Sequence, residues 1–227
     1  MIRSFPKLAK AIVRLRDDTS GVALLEFAYA LPFLVTLGGF GLEMTNLATT
    51  NLKISQAAMA LADNMSRVGE SSNLAATQIR ESDVIDSFIG IKKQTEGLDI
   101  GTRSRVILSS LQQNPDDGQW IKWQRCMGTK VVVGSYGAEN FGSTGNGFPG
   151  MGPPTARITA PNDSAVMHVE IFYDYRPLFT TMFIPARTMR YEASFIVRDS
   201  RDLSQIYNPA PVSTVYRCNT YNTGPAA

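Results

Sequence analysis

Residues 22–42 read VALLEFAYALPFLVTLGGFGL, and this stretch decides the architecture. It carries one charge, Glu26, in 21 residues, long enough as a helix to cross about 30 Å of hydrocarbon. Five cations (Arg3, Lys7, Lys10, Arg14, Arg16) precede it against Asp17 and Asp18, and no Lys or Arg follows until Lys53. That asymmetry predicts a cytoplasmic N-terminus and a C-terminal body across the membrane. A cleaved secretory signal is the rival reading. Its apolar core is usually shorter, and GGFGLEM is a poor small-x-small cleavage site.

Helical periodicity continues past Glu43. Leu47, Ile54, Ala58, Leu61, Met65 and Val68 recur at steps of seven, four, three, four and three, one face of an amphipathic helix that Gly69 ends. Val22 to Val68 then forms one helix of about 70 Å at ~1.5 Å per residue. Its first half is lipid-facing and its second lies on a soluble domain. Pro32 removes one backbone donor, a break that membrane helices tolerate.

Read outward from that helix, SSNLAATQIRESDVIDSFIGIKKQTEG predicts a second helix from Asn73 to Gly97, with Ile79, Val84, Ile85, Phe88, Ile89 and Ile91 as its apolar face. Strands are predicted at 103–112, 119–127, 130–136, 165–175 and 187–198, the first two joined by the turn NPDDG at 114–118. In 165–175 the set Val166, His168, Glu170, Phe172 alternates with Met167, Val169, Ile171, Tyr173, which predicts one core face and one solvent face, with His168 at the surface. Helices followed by antiparallel strands make an α+β domain. Residues 137–163 are rich in Gly, Pro and small polar residues and read as a long loop, a disordered spacer or a partner-binding segment.

The 227 residues are 44% hydrophobic and 19% charged, with a net charge of +2, too small to argue for nucleic acid. The two cysteines, Cys126 and Cys218, both follow the apolar run. In an oxidising compartment they would pair and tie the C-terminal tail to the domain, the alternative being two free thiols. There is no CxxC, and His168 is the only histidine, so no metal site and no cofactor is expected. No G-x-S-x-G, HExxH or repeated Asp motif points to an enzyme. Asp116, Asp117 and Asp163 are loop carboxylates whose spacing does not mark a Ca²⁺ site.

A basic leader, Gly21, four apolar residues, then Glu26 and Phe27, with Leu31–Pro32 beyond, resembles the processing site of type IV pilin-like proteins. In particular SGVALLEFAYALPFL is similar to the TadE-like pseudopilins of the tight-adherence (Tad/Flp) branch, and VMHVEIFYDYRPLFTTMFIP with MRYEASFIVRD resembles their C-terminal strands. The N-terminal match covers about 50 residues, and the middle of the chain is not covered.

The resemblance implies a pilin-like fold with three parts: a cytoplasmic leader 1–21, a transmembrane half-helix 22–42 and a periplasmic domain 43–227. It implies cleavage between Gly21 and Val22 by a prepilin peptidase. It implies that Glu26, with Phe27 and Pro32, serves subunit assembly, the glutamate pairing with the free amine of a neighbouring subunit. The implied partners are the membrane, the peptidase, other pilin and pseudopilin subunits and the Tad assembly platform. The implied location is the bacterial inner membrane or a surface pilus. A soluble part larger than a small major pilin's points to a minor subunit. Taken singly, Gly21 reads equally as a flexible residue before a helix, and Glu26 as an interfacial side chain favoured by the helix dipole. An uncut single-pass envelope protein, or a binding domain released near residue 40, are the readings outside the family.

Overall fold

The computed structural model describes residue 14 and residues 21–69, 76–179, 181, 184–198 and 200–226. The rest of the basic leader and Asn73 lie outside the described residues. The periodicity of the long helix holds: α1 runs Val22–Arg67 without interruption. Its buried residues, Glu43, Leu47, Thr50, Ile54, Ala57, Ala58, Leu61, Ala62, Met65 and Ser66, recur at three- and four-residue steps and seat one stripe on the domain. The exit at Gly69 needs glycine. Its φ is +154°, and a Cβ there would stand 2.3 Å from Thr77 Cγ2.

The second helix, α2, is shorter than the sequence suggests and spans Glu81–Gln94. The preceding residues are extended because they pair with the C-terminal segment: Thr77 N–H donates to Ser200 O (2.9 Å) and Tyr207 N–H donates to Ile79 O (2.8 Å). Arg80 N–H then donates to the Asp83 carboxylate (2.8 Å) and starts the helix. Val84, Phe88 and Ile91 are buried in the main core, while Ile85 and Ile89 are half-buried. A single turn, α3 (Ile100–Arg103), leads into the sheet.

Strands β1 (Ser104–Gln113), β2 (Gln119–Met127), β3 (Val166–Tyr175) and β4 (Arg187–Ile196) form one antiparallel sheet in the order β2-β1-β3-β4. The domain is α+β, as the element order predicts. Asn114 builds the β1–β2 turn, its Oδ1 accepting from the amides of Asp116 (2.9 Å) and Gly118 (2.8 Å). The main core lies between the helices and one sheet face, where Val106, Leu108, Met167, Val169, Ile171 and Tyr173 meet Ile54, Leu61, Met65 and Phe88.

Two strand expectations fail for physical reasons. Residues 130–136 form no strand, since the outer edge of β2 is already occupied: Cys126 N–H donates to Tyr216 O (2.8 Å), Ile121 N–H to Phe141 O (2.9 Å) and Gly128 N–H to Asn222 O (2.7 Å). The Val166/His168/Glu170/Phe172 face does not meet solvent. His168 is fully buried and Glu170 is 2% exposed, because the chain after β2 covers that face: the Tyr136 ring stands edge-on to His168 and the Ser135 amide reaches Glu170, while Phe148 and Met151 cluster with Val166.

Residues 137–163 are therefore a packed layer and not a disordered spacer. Phe148, Met151 and Ala160 join Leu111, Ile121 and Val166 in a second core, and Met151 and Ile158 pair as a small bridge. Side chains of β2 and of the β1–β2 turn satisfy the loop's main chain. Asn114 Nδ2 donates to the carbonyls of Gly142 (2.8 Å) and Gly145 (2.6 Å), Gln119 exchanges two bonds with Ala160, and Gln124 Nε2 donates to Gly137 O (3.0 Å).

The tail is tied down as the cysteine pair suggests. Cys126 and Cys218 form a disulfide that links positions 92 residues apart. Arg105, 1% exposed, reinforces it by donating to the carbonyls of Gly128 (3.0 Å), Thr220 (2.8 Å) and Cys218 (2.6 Å).

Candidate functional site: a half-embedded helix and its anchor

The two halves of α1 have different surroundings. Between Val22 and Leu42 every residue but the half-buried Gly39 is exposed, including Leu24 (71%), Phe33 (77%) and Leu37 (70%). The most apolar window of the helix has a mean hydropathy of 1.7, and none of it is buried in the domain. A core helix of that hydropathy would be covered by its own chain. This helix, near the N-terminus, is long and apolar enough to cross a membrane.

Gly21, Val22, Glu26, Phe27 and Pro32 lie along this half as one row of local features and are not brought together by the fold. Gly21 precedes the helix at φ −79°, ψ −15°, and its carbonyl accepts from Leu25 N–H (3.0 Å). Any residue adopts that conformation, and a Cβ at Gly21 would meet nothing within 4 Å. The fold thus makes no demand for glycine at 21. Val22 is the first helical residue, and Glu26 and Phe27 are exposed. Pro32 is accommodated within the helix, and Thr36 Oγ1 donates to its carbonyl (2.7 Å).

The change of environment falls at Glu43. This carboxylate is fully buried. It accepts the Tyr175 hydroxyl and the amides of Leu178 (2.9 Å) and Phe179 (3.3 Å), and Asn46 Nδ2 donates to the Tyr175 oxygen (2.9 Å). Burial raises its pKa, but the hydrogen bonds from Tyr175 and from the Phe179 and Leu178 amides outweigh this and hold it below the usual carboxylate range. Glu43 thereby fastens the β3–β4 connection to the helix where the exposed apolar stretch ends. Sequence reasoning passed over it. The available signal was its place on the Leu47/Ile54 face, where a carboxylate needs buried donors.

A second polar cluster lies under the covering loop. His168, Glu170 and Glu192 have potential ligand atoms within 4.8 Å of one another, the one such group among the described residues. The pleat explains the meeting: His168 and Glu170 share a face of β3, and Glu192 pairs with Glu170 across to β4. Arg190 already supplies the positive charge, contacting Glu170 Oε1 (2.9 Å) and Glu192. The Tyr136 hydroxyl donates to Glu192, and the Ser135 amide donates to Glu170 Oε2 (3.0 Å). Burial pushes the His168 pKa down to about 4, so the ring is neutral at pH 7, with Nδ1 2.6 Å from Ser194 Oγ. Its Nε2 has no hydrogen-bond partner among the described residues, and the Tyr136 ring stands edge-on at 5.3 Å. The cluster joins Ser135 and Tyr136 to β3 and β4 through a hydrogen-bonded network in which Arg190 bridges the two carboxylates. Asp116 is engaged with the Gly145 amide (2.7 Å) and sits in the β1–β2 turn, while Asp163 lies in a separate turn before β3.

Comparison with protein-family models, with curated proteins and with solved structures found no match. The functional reading rests on the geometry of the helix and on the residues at its start.

Proposed function

We propose that the protein is a structural subunit: a TadE-like minor pseudopilin of a Tad pilus and secretion system, inserted with its N-terminus inside, cut between Gly21 and Val22 and packed through its N-terminal helix. One observation carries the reading. A single 46-residue helix leaves the largely apolar stretch 22–42 uncovered and commits the remainder to a small α+β domain. Such an element suits a protein that holds its domain at a membrane and packs the exposed half against lipid or like helices. Two features at its start support processing and assembly. Glycine at 21 answers no need of the fold, which fits a requirement set by a peptidase that admits no side chain there. Glu26 lies in the exposed apolar half, where a carboxylate in hydrocarbon calls for a cation, and the amine created at Val22 would be one.

The test is N-terminal sequencing and intact mass of the membrane-extracted protein, made with and without the cognate prepilin peptidase. A start at Val22 that depends on the peptidase is expected, and Gly21→Leu should abolish it. A start at Met1 under both conditions would refute processing and leave a plain anchor. A start after the apolar stretch would mean a released domain. Glu26→Ala should be processed but poorly incorporated, and normal incorporation would refute the pairing role.

A further inference from the structure

We propose that the connection between β3 and β4 is a second membrane contact: Leu178 and Phe179 insert into the phospholipid interface beside α1, with Arg176 and Arg187 directed to lipid phosphates. The inference rests on α1 crossing the bilayer with 22–42 in hydrocarbon.

Position comes from the Glu43 junction. The main-chain amides of Leu178 and Phe179 donate to Glu43, the residue next to Leu42 at the end of the exposed apolar stretch. Both side chains are therefore carried at the level where the helix leaves the hydrocarbon. Their exposure is 60% and 59%, high for adjacent large apolar residues on a domain that buries its other β3-end residues, Tyr173 and Tyr175. Adjacent exposed apolar side chains mark an interaction surface more than scattered ones do. The flanking cations fit the same surface. Arg176 and Arg187 are exposed at the two ends of the connection, and apolar residues bounded by arginines are the composition of a segment lying about 5–10 Å into the headgroup boundary.

Continuity with the apolar half of α1 selects lipid as the occupant. A bilayer that surrounds Val22–Leu42 must end beside Glu43, where this loop is pinned. The contact would fix the tilt and rotation of the domain on the membrane, which a lone straight helix leaves free.

The test uses the full chain. The described cysteines are both in the disulfide, so Phe179→Cys supplies a thiol for an environment-sensitive fluorophore. The labelled protein is placed at one copy per nanodisc of phosphatidylcholine and phosphatidylglycerol, with a nitroxide either high on the acyl chain or near its end. Leu178→Cys is a second reporting position. Phe33→Cys reports the membrane segment. Asn162→Cys, exposed in the turn before β3 and so at the strand end opposite Tyr175, reports the far side of the domain. The dye at 178 or 179 should be blue-shifted and lose most of its emission to the shallow nitroxide. The dye at 33 should be quenched more by the deep one, and the dye at 162 by neither. Quenching at 33 without quenching at 178 and 179 overturns the proposal and leaves the spanning helix intact. No quenching at 33 overturns the spanning helix itself, and this contact with it. Shielding at 178 and 179 that is absent at one copy and appears only with several copies per nanodisc would assign the surface to a neighbouring subunit and overturn the lipid contact.

Discussion

Replacing Glu43 by alanine tests how the domain is fixed to its helix. In the native structure this carboxylate accepts a hydroxyl and two amides from the end of β3 and the connection beyond it. A hydrogen bond to a charged group contributes about 1.5–3 kcal/mol net, and a buried donor left unsatisfied costs about 1–3 kcal/mol. Tyr175 is buried, whereas the amides belong to exposed residues that water can reach once the carboxylate is gone. Only the hydroxyl then pays in full, and the sum comes to about 3 kcal/mol for Glu43→Ala. Glu43→Gln keeps an acceptor for one donor and loses the charge, so about half that loss is expected. Amide hydrogen exchange in detergent reads the effect locally. With tenfold per 1.4 kcal/mol, exchange at Leu178 and Phe179 should accelerate about 10- to 100-fold in Glu43→Ala. Amides in the middle of β3 should change less. Unchanged exchange at both positions, with unchanged stability, would refute the reasoning that this carboxylate pins the connection.

His168 sets a pH dependence. Its pKa falls from 6.5 to about 4 on folding because burial disfavours the charged ring, so the unfolded chain binds the extra proton between those values. The neutral ring's contribution is complete above pH 6.5 and is lost as pH falls towards 4, a total of about 3 kcal/mol at 1.36 kcal/mol per unit. Urea unfolding of detergent-solubilised protein between pH 4 and 7 should show this slope, and His168→Gln should flatten it; equal slopes would dismiss the assignment. The buried pair Arg125–Glu81, 2.5 Å apart with side chains 7% and 4% exposed, should be costly to break from one side. Glu81→Gln is expected to lose about 3 kcal/mol, the lower end of the range for such pairs because Arg125 keeps Glu139 at 3.2 Å. Replacing both partners by leucine should recover part of that loss in the same unfolding measurement, and no recovery would mean that packing rather than charge governs the site.

Sequence periodicity was a good guide wherever one residue type meets one environment. The stripe through Leu47, Ile54, Ala58, Leu61 and Met65 is buried as its spacing requires, and β2 spans the predicted 119–127. It misled where a second layer has no periodicity of its own. His168 and Glu170 alternate with Val169 and Ile171 as solvent-facing residues would, yet Ser135 and Tyr136, on the chain that leaves β2, lie over them. Alternation reports the chemistry of a face and not what covers it. Here the polar face is polar because Gln124 and Glu170 meet a carbonyl and an amide of the covering chain, with Ser109 Oγ accepting from Gln124 Nε2 beneath it. The valines of 130–136 misled in the converse way: β propensity was present, but the C-terminal tail and residues 140–141 had already taken the edge that a strand would need.

The two glutamates of α1 show what a single chain can and cannot complete. Glu43 lies on the buried stripe, and the domain meets it with a hydroxyl and two amides. Glu26 lies 17 positions earlier on the same helix, exposed among Leu24, Leu25 and Phe27, with no ion-pair or hydrogen-bond partner among the described residues. If water surrounded this half of the helix, the carboxylate would need nothing, but the apolar side chains of 22–42 would then face solvent. If lipid surrounds it, the apolar positions are accounted for and the carboxylate alone lacks a counter-charge. The burden thus shifts from many residues to one, and that one can be met by a single cation from a second molecule. The proposed cut at Gly21–Val22 would create such a cation at the start of every like helix. Cleavage and the Glu26 pairing are therefore coupled: a subunit that keeps its leader should carry Glu26 to the membrane but offer its neighbour no amine, and it should fail to assemble even with Glu26 intact.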